Sequence, residues 1–164
     1  MPAARDLEIT FVRLTEVPII EILEHMSDPR VAEHMPLLQE PWDIETATKF
    51  VALKEECWHR DGLGHWAILA GGRYVGWGGL QKEGSDWDFG LVLKPDEFGL
   101  GPRLTRKVLN FARSQEMITH VTFLLPPSRQ RLAALERLGA QFVADVFYDG
   151  AVFKKFRLEL SSPA

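Results

Sequence analysis

The chain of 164 residues contains one cysteine, Cys57, and two tyrosines, Tyr74 and Tyr148. A single cysteine forms no internal disulfide and no CxxC metal or redox site. No stretch approaches the 18 apolar residues of a membrane span, so no membrane partner is expected. The first residues, Met1 to Glu8, are mixed in charge with no apolar run behind them, which is unlike a signal peptide and makes the cytoplasm the expected location. Charge of one sign is also scarce. The 19 basic and 23 acidic residues leave a net charge of −4. This argues mildly against a nucleic-acid partner and is compatible with an amine-bearing one without selecting it. The five histidines (His25, His34, His59, His65 and His120) show no metal-ligand spacing, so no metal site is expected. Repeats, low-complexity tracts and linkers are absent, and residues 1–164 read as one domain. A domain of this size buries roughly 70% of its unfolded surface and needs no disulfide or metal staple.

What is present is glycine, with 13 residues, and a hydrophobic pattern that changes period along the chain. Leu7–Leu14 alternates as a strand. Thr15 is placed to cap a helix from Glu16 to Met26, with Pro18 in its first turn, and Asp28-Pro29 stops or restarts it. After a loop from His34 to Asp43, Asp43 caps a long helix from Ile44 to Arg60, closed by Gly62 and Gly64. The period then falls to two. Trp66–Ala70 is followed by the turn Gly71-Gly72, a return strand Arg73–Gln81, a turn at Gly84-Ser85 and a third strand Trp87–Leu93. A helix from Pro102 to Gln115, a strand His120–Leu125, a helix from Ser128 to Leu138 and a hairpin, Gln141–Tyr148 with Ala151–Leu160, complete the chain. This order predicts an α/β (α+β) domain in which a mixed sheet of about seven strands is flanked by about four helices.

The segment most informative about chemistry runs from Trp87 to Pro102, a strand followed by a glycine loop and a helix. Gly99 and Gly101 let backbone amides point into one concavity without a Cβ in the way. The helix behind them adds its free N–H groups and the positive end of its dipole, and Pro102 suits its first turn. Such an arrangement suits a phosphate or pyrophosphate. It is not a Walker loop, because no Gly-Lys-Ser/Thr follows. It is not a dinucleotide fingerprint either, because the third glycine is missing.

The same segment resembles motif A of the GNAT superfamily of N-acetyltransferases. Val92-Leu93-Lys94-Pro95 stands where that family has a strand ending in V-x-P. Asp96-Glu97-Phe98-Gly99-Leu100-Gly101 stands at its Gln/Arg-x-x-Gly-x-Gly/Ala. Asp88-Phe89-Gly90-Leu91 is similar to the opening of the motif in the branch that holds ribosomal-protein acetyltransferases, and Ser27–Ala32 looks like that branch's loop between the first two helices. Ser128 lies eleven residues before Gly139, where the family commonly places an Asn. Element order agrees from Leu7 to Leu160. Asp96, Ser128 and Leu135 depart from the family's Gln/Arg, Asn and catalytic Tyr.

The resemblance implies a GNAT-like fold, acetyl-CoA as cofactor and direct acetyl transfer to a primary amine on a small molecule or a protein N-terminus. The pyrophosphate would sit on the segment Phe98, Gly99, Leu100, Gly101, Pro102 and Arg103. The pantetheine arm would pair with the strand edge Leu91, Val92 and Leu93 as an added strand does, with an N–H near Leu91 as oxyanion donor. Removing a proton from the attacking ammonium calls for a carboxylate. Asp88, at the head of that strand, is the first choice and Asp86 the second; a solvated turn aspartate is the plain alternative. Ser128 is placed to meet CoA or protonate the leaving thiolate, and also reads as a simple helix cap.

Other residues carry weaker signals. Tyr74 and Tyr148 read as strand aromatics, Trp66 and Trp77 as core residues or walls of the acceptor site, and Cys57 as a small buried apolar residue. His34 could line an acceptor pocket. One of Arg103, Arg106 and Lys107 could meet the 3′-phosphate of CoA. The hairpin Phe147–Phe153 exposes apolar residues that could serve a homodimer or cover the acceptor site. Two further readings remain open at this level: a non-catalytic acyl-CoA-binding domain, and an α/β domain for another phosphate ligand.

Overall fold

The computed structural model describes residues 7–33, 35, 41–126, 133–148 and 150–160. Seven strands form one sheet: β1 (Ile9–Val12), β2 (His65–Ala70), β3 (Arg73–Glu83), β4 (Asp86–Leu93), β5 (His120–Leu125), β6 (Gln141–Tyr148) and β7 (Ala151–Glu159). Their spatial order is β1-β2-β3-β4-β5-β7-β6. Every adjacent pair is antiparallel except β4 and β5. The mixed sheet predicted from alternating hairpins and crossovers is therefore present. The helices are α1 (Ile19–Met26), α2 (Pro29–Ala32), α3 (Ile44–Asp61), α4 (Gly101–Arg113) and α5 (Ala133–Leu138). The one helix beyond the expected four is α2, the single turn by which Asp28-Pro29 restarts the chain; the Asp28 side chain accepts from the Arg30 N–H and caps it.

The helix boundaries follow from caps. Asp43 accepts from the Thr46 N–H at 2.7 Å and starts α3. Gly62, at φ +75°, ends α3 in a left-handed conformation open to glycine. Thr15 does not cap the first helix. It lies inside a 3-10 turn, Leu14–Glu16, and α1 begins only after Pro18, whose extended backbone holds the N-cap position. β1 is shorter than predicted, because Leu14 leaves the strand to become fully buried in the core.

Apolar alternation sends side chains to both faces of the sheet. On one face Trp66, Leu80, Trp87, Val121 and Phe123 pack with Val108, Leu109 and Ala112 of α4, and Leu104 of the same helix packs with Ile68, Val75 and Leu93. On the other, Ala67, Tyr74 and Trp77 pack against Ile22 and Met26 of α1 and Val31 of α2, with Phe50 and Val51 of α3 alongside. Trp66 and Trp77 thus serve two different cores. Tyr74 is buried and within 2.7 Å of His25 Nδ1, so it is a core aromatic as predicted. Burial pulls the His25 pKa down to about 4 and pushes that of Tyr74 up. Cys57 is a correction: it is half-exposed rather than buried. The terminal hairpin does present apolar side chains, with Phe147 78% and Val152 41% exposed. Asp149 and the Tyr148 side chain lie outside the described residues.

β3 carries glycines where β4 presses on it. A Cβ on Gly76 would stand 2.5 Å from the Val92 carbonyl oxygen, and one on Gly78 would collide with the carbonyl oxygen of Gly90. Both obstacles are backbone, which has no rotamer by which to retreat. We expect Gly78→Ala to destabilise the fold by about 2 kcal/mol, measured as a lower midpoint in urea unfolding with an unchanged slope.

Candidate active site

The parallel ladder between β4 and β5 contains only the partners Asp88↔Thr122 and Phe89↔Phe123. Beyond them β4 continues to Leu93 and β5 to Leu125 without pairing to each other. Residues 90–93 of β4 therefore present a backbone edge toward β5 that no strand of the described residues covers. Phe89 and Phe123, with ring centroids 5.2 Å apart, sit at the point of parting.

At the end of this open edge, Pro95–Leu100 forms a 3-10 helix that runs directly into α4. This corrects the glycine loop expected there. Pro95 presets the first turn, the Lys94 carbonyl accepts from the Glu97 N–H, and Leu100 is buried. Glu97 is also buried and accepts from Arg73 at 2.8 Å, which ties the segment to β3. Gly101 is right-handed (φ −50°, ψ −52°) and its N–H donates to the Phe98 carbonyl. No left-handed amide nest forms, and the Gly101 amide is already engaged. The two glycines instead supply access: a Cβ on Gly99 or Gly101 would meet nothing within 4 Å. Asp96, exposed at this point, pairs at 3.5 Å with Arg30 of α2.

On the sheet face covered by α3, a row of polar residues crosses three strands. Gln81, Asp88 and Thr122 are successive register partners. Thr122 Oγ1 donates to Asp88 Oδ1 at 2.9 Å. Burial, only partly offset by this hydrogen bond, raises the Asp88 pKa to about 7. The next row holds Asp86, which lies within 2.8 Å of His120 Nε2 and accepts from Lys155 Nζ at 2.7 Å. Burial alone would raise the pKa of Asp86, but these two contacts hold it below the usual carboxylate range. Two aspartates on one face thus differ in kind. Asp86 is committed to an ion pair, and Asp88 is a carboxyl group that exchanges its proton near neutrality.

Three residues of this face were not anticipated as site residues. Lys54 of α3 donates to Gln81 Oε1 at 2.9 Å and stands 3.0 Å from His65 Nδ1. The His65 ring lies against Gly90, where a Cβ would be 3.2 Å from it. A lysine in the middle of an amphipathic helix and a histidine opening a strand carry no sequence signal until the sheet register brings them together. Ser128, the expected second catalytic group, lies outside the described residues, as does His34. Leu135, at the position of the family tyrosine, packs against the main core. Among the described residues no group of three His, Cys, Asp or Glu side chains could hold a metal ion.

Residues 8–141 match the family model described as an acetyltransferase (GNAT) domain. The chain belongs to the GNAT acetyltransferase family. Solved structures share the fold at low identity. An acetyltransferase from Agrobacterium tumefaciens is 18% identical, with a TM-score of 0.73 over 92% of this chain and 90% of that one. Spermidine N-acetyltransferase from Vibrio cholerae, solved with CoA and spermine, is 11% identical, with a TM-score of 0.70 over 95% and 96% of the two chains. An aminoglycoside acetyltransferase solved with coenzyme A and kanamycin is 12% identical, with a TM-score of 0.74 over 93% and 95%. No curated protein sequence matches the chain. The family's general chemistry is acetyl transfer dependent on acyl-CoA.

The raised pKa of Asp88 links to stability. The folded state holds this proton more tightly than the unfolded state, whose carboxyl titrates near pH 4, so Asp88 lowers stability progressively as pH rises from about 4 to about 7. We expect Asp88→Asn to raise unfolding stability at pH 8 by up to about 4 kcal/mol. The gain should vanish by pH 4, as followed by urea denaturation at the two pH values.

Proposed function

We propose that this chain transfers an acetyl group from acetyl-CoA to a primary amine, with Asp88 as the general base. The observation that carries the reading is a carboxyl group with pKa about 7 where β4 is last paired to β5, three residues before Leu91 on the open edge. A base works best when its pKa lies near the working pH, because it is then both ionised and able to keep the proton it accepts.

The residues present fit the cofactor. The uncovered edge at Leu91, Val92 and Leu93 has the backbone groups to pair with a peptide-like pantetheine arm. The start of α4 offers the positive end of its dipole and open space above Gly99 and Gly101 for a pyrophosphate. Phe98, Leu100, Pro102 and Arg103 complete the segment, with Ser128 as a further contact. When bound, acetyl-CoA supplies an acyl group activated as a thioester. Asp88 accepts the proton of the approaching ammonium, directly or through one water. Thr122 fixes the carboxyl oxygen that does not need to move. An N–H near Leu91 is placed to stabilise negative charge on the acyl oxygen. Ser128 is our candidate donor to the leaving thiolate.

The acceptor is a small molecule bearing an amine, or a protein N-terminus. The neighbours named for spermidine and aminoglycosides support amines in general. We place the protein in the cytoplasm and read the apolar hairpin at Phe147 and Val152 as a surface for a second copy. Leu135 in the core favours one competing reading, a domain that binds acyl-CoA without turnover.

Thiol release from acetyl-CoA across a panel of amines tests the reading. We expect kcat/KM to rise with pH through about 7 as Asp88 ionises, and Asp88→Asn to lower kcat by roughly 10²- to 10⁴-fold with CoA affinity unchanged. Tight CoA binding with no turnover on any amine would favour the non-catalytic domain. Gly101→Val, which fills the space above the helix start, should weaken CoA binding by about tenfold in calorimetry; unchanged affinity would displace the phosphate site from this segment.

A further inference from the structure

The ammonium of Lys54 is the unused charge of this face. It reaches from α3 over the sheet, with its nitrogen 4.9 Å from the centroid of Trp77 and 5.4 Å from that of Phe50. Two of its three N–H bonds are accounted for by Gln81 Oε1 and His65 Nδ1. His65 is buried, which drives its pKa well below the ordinary value and keeps it a neutral acceptor. Gln81 in turn donates to Glu83, so the nearest acid on β3 is reached only through an amide. Among the described residues no carboxylate lies within 4 Å of Lys54 Nζ, although eight other described lysine and arginine side chains have at least one within that distance. Charges taken out of water are ordinarily paired, and this one has only neutral partners. Burial lowers its pKa to about 8, which still leaves it charged at neutral pH.

Two consequences bear on the acceptor. Gln81, which Lys54 touches, is the register partner of Asp88, so ammonium and carboxyl stand side by side on one face. The aromatic faces of Trp77 and Phe50, which would otherwise recognise a cationic substrate, are already taken by Lys54. A polycation would bring a second positive charge against a fixed one.

We propose that Lys54 is the anchor for an anionic group of the acceptor, and that the substrates of this enzyme are amines that also carry a carboxylate, α-amino acids being the simplest class. The proposal rests on Asp88 marking the acceptor site. The carboxylate completes the third hydrogen bond of Lys54 and neutralises it, while the amine of the same molecule lies toward Asp88. Glu83, Asp88 and Cys57 are the other titratable groups near Lys54, and none of them supplies a direct ion pair.

The test compares α-amino acids with their carboxamides, which keep the shape and remove the charge. For the wild type we expect kcat/KM to favour the acid over the amide by about tenfold or more. Lys54→Met should bring that ratio close to one, and Lys54→Arg should retain most of it. Taking the ratio of wild type to variant cancels the difference in amine basicity between acid and amide. Amides or spermidine accepted by the wild type as well as the acids, or a ratio unmoved by Lys54→Met, would overturn the proposal while leaving acetyl transfer intact. Binding of N-acetyl-phenylalanine against N-acetyl-phenylalaninamide, read by tryptophan fluorescence, reports the same contact without turnover. Selectivity for the acid that depends on Lys54 supports Lys54 as the carboxylate anchor independently of acetyl transfer, and equal binding sinks it.

Discussion

β4 is paired along its whole length on one side and for two residues on the other. The candidate site is arranged around that asymmetry. On the β3 side, Gly76 and Gly78 offer no side chains, and the backbone of β4 lies directly against them. On the β5 side the ladder ends at Phe89 and Phe123. A backbone edge left without partners inside a sheet is costly unless water or a ligand completes it. Here it opens where α4 begins and where a buried carboxyl lies on the adjoining face. The parting therefore brings an open backbone edge, the start of a helix and a buried carboxyl to one place.

Electrostatics on the α3-covered face is governed by which charges found partners. Asp86 and Asp88 are two residues apart on one strand and point the same way. Asp86 meets Lys155 from β7 and a histidine from β5, and stays ionised. Among the described residues Asp88 is hydrogen-bonded only by a threonine hydroxyl, so burial dominates and its proton is held to about pH 7. The difference is one of neighbours, not of residue type. Lys54 is the complementary case: a cation set among an imidazole, an amide and two aromatic faces.

Much of the architecture could be read in advance because local physics governs it. The period-two runs, the Gly71-Gly72 and Gly84-Ser85 turns, the Asp43 cap and the Gly62 stop each act over a few residues, and each appears in the structure. The segment before α4 departs from its local pattern for the opposite reason. Gly99 and Gly101 permit a left-handed loop, but the tertiary anchors Arg73–Glu97 and buried Leu100 select a 3-10 turn continuous with the helix. Thr15 was a good local cap overridden by the burial of Leu14 beside it. Asp88 was legible because it heads the strand that the resemblance singles out. Lys54 and His65 were not, since neither lies in a motif and their contact spans two elements.

The amino-acid sequence by itself determined the element order, the single mixed sheet, the likeness to GNAT acetyltransferases and the position of Asp88 at the head of β4. Those follow from periodicity, turn chemistry and short spacings, all of them encoded within a dozen residues. Only the tertiary structure decided where β4 and β5 part, which of two aspartates keeps its proton, and that Lys54 reaches the same face with no carboxylate of the described residues within 4 Å. These depend on register across strands and on desolvation, and both are set by residues distant in the chain: Thr122, His120 and Lys155 for the aspartates, His65 and Gln81 for the lysine.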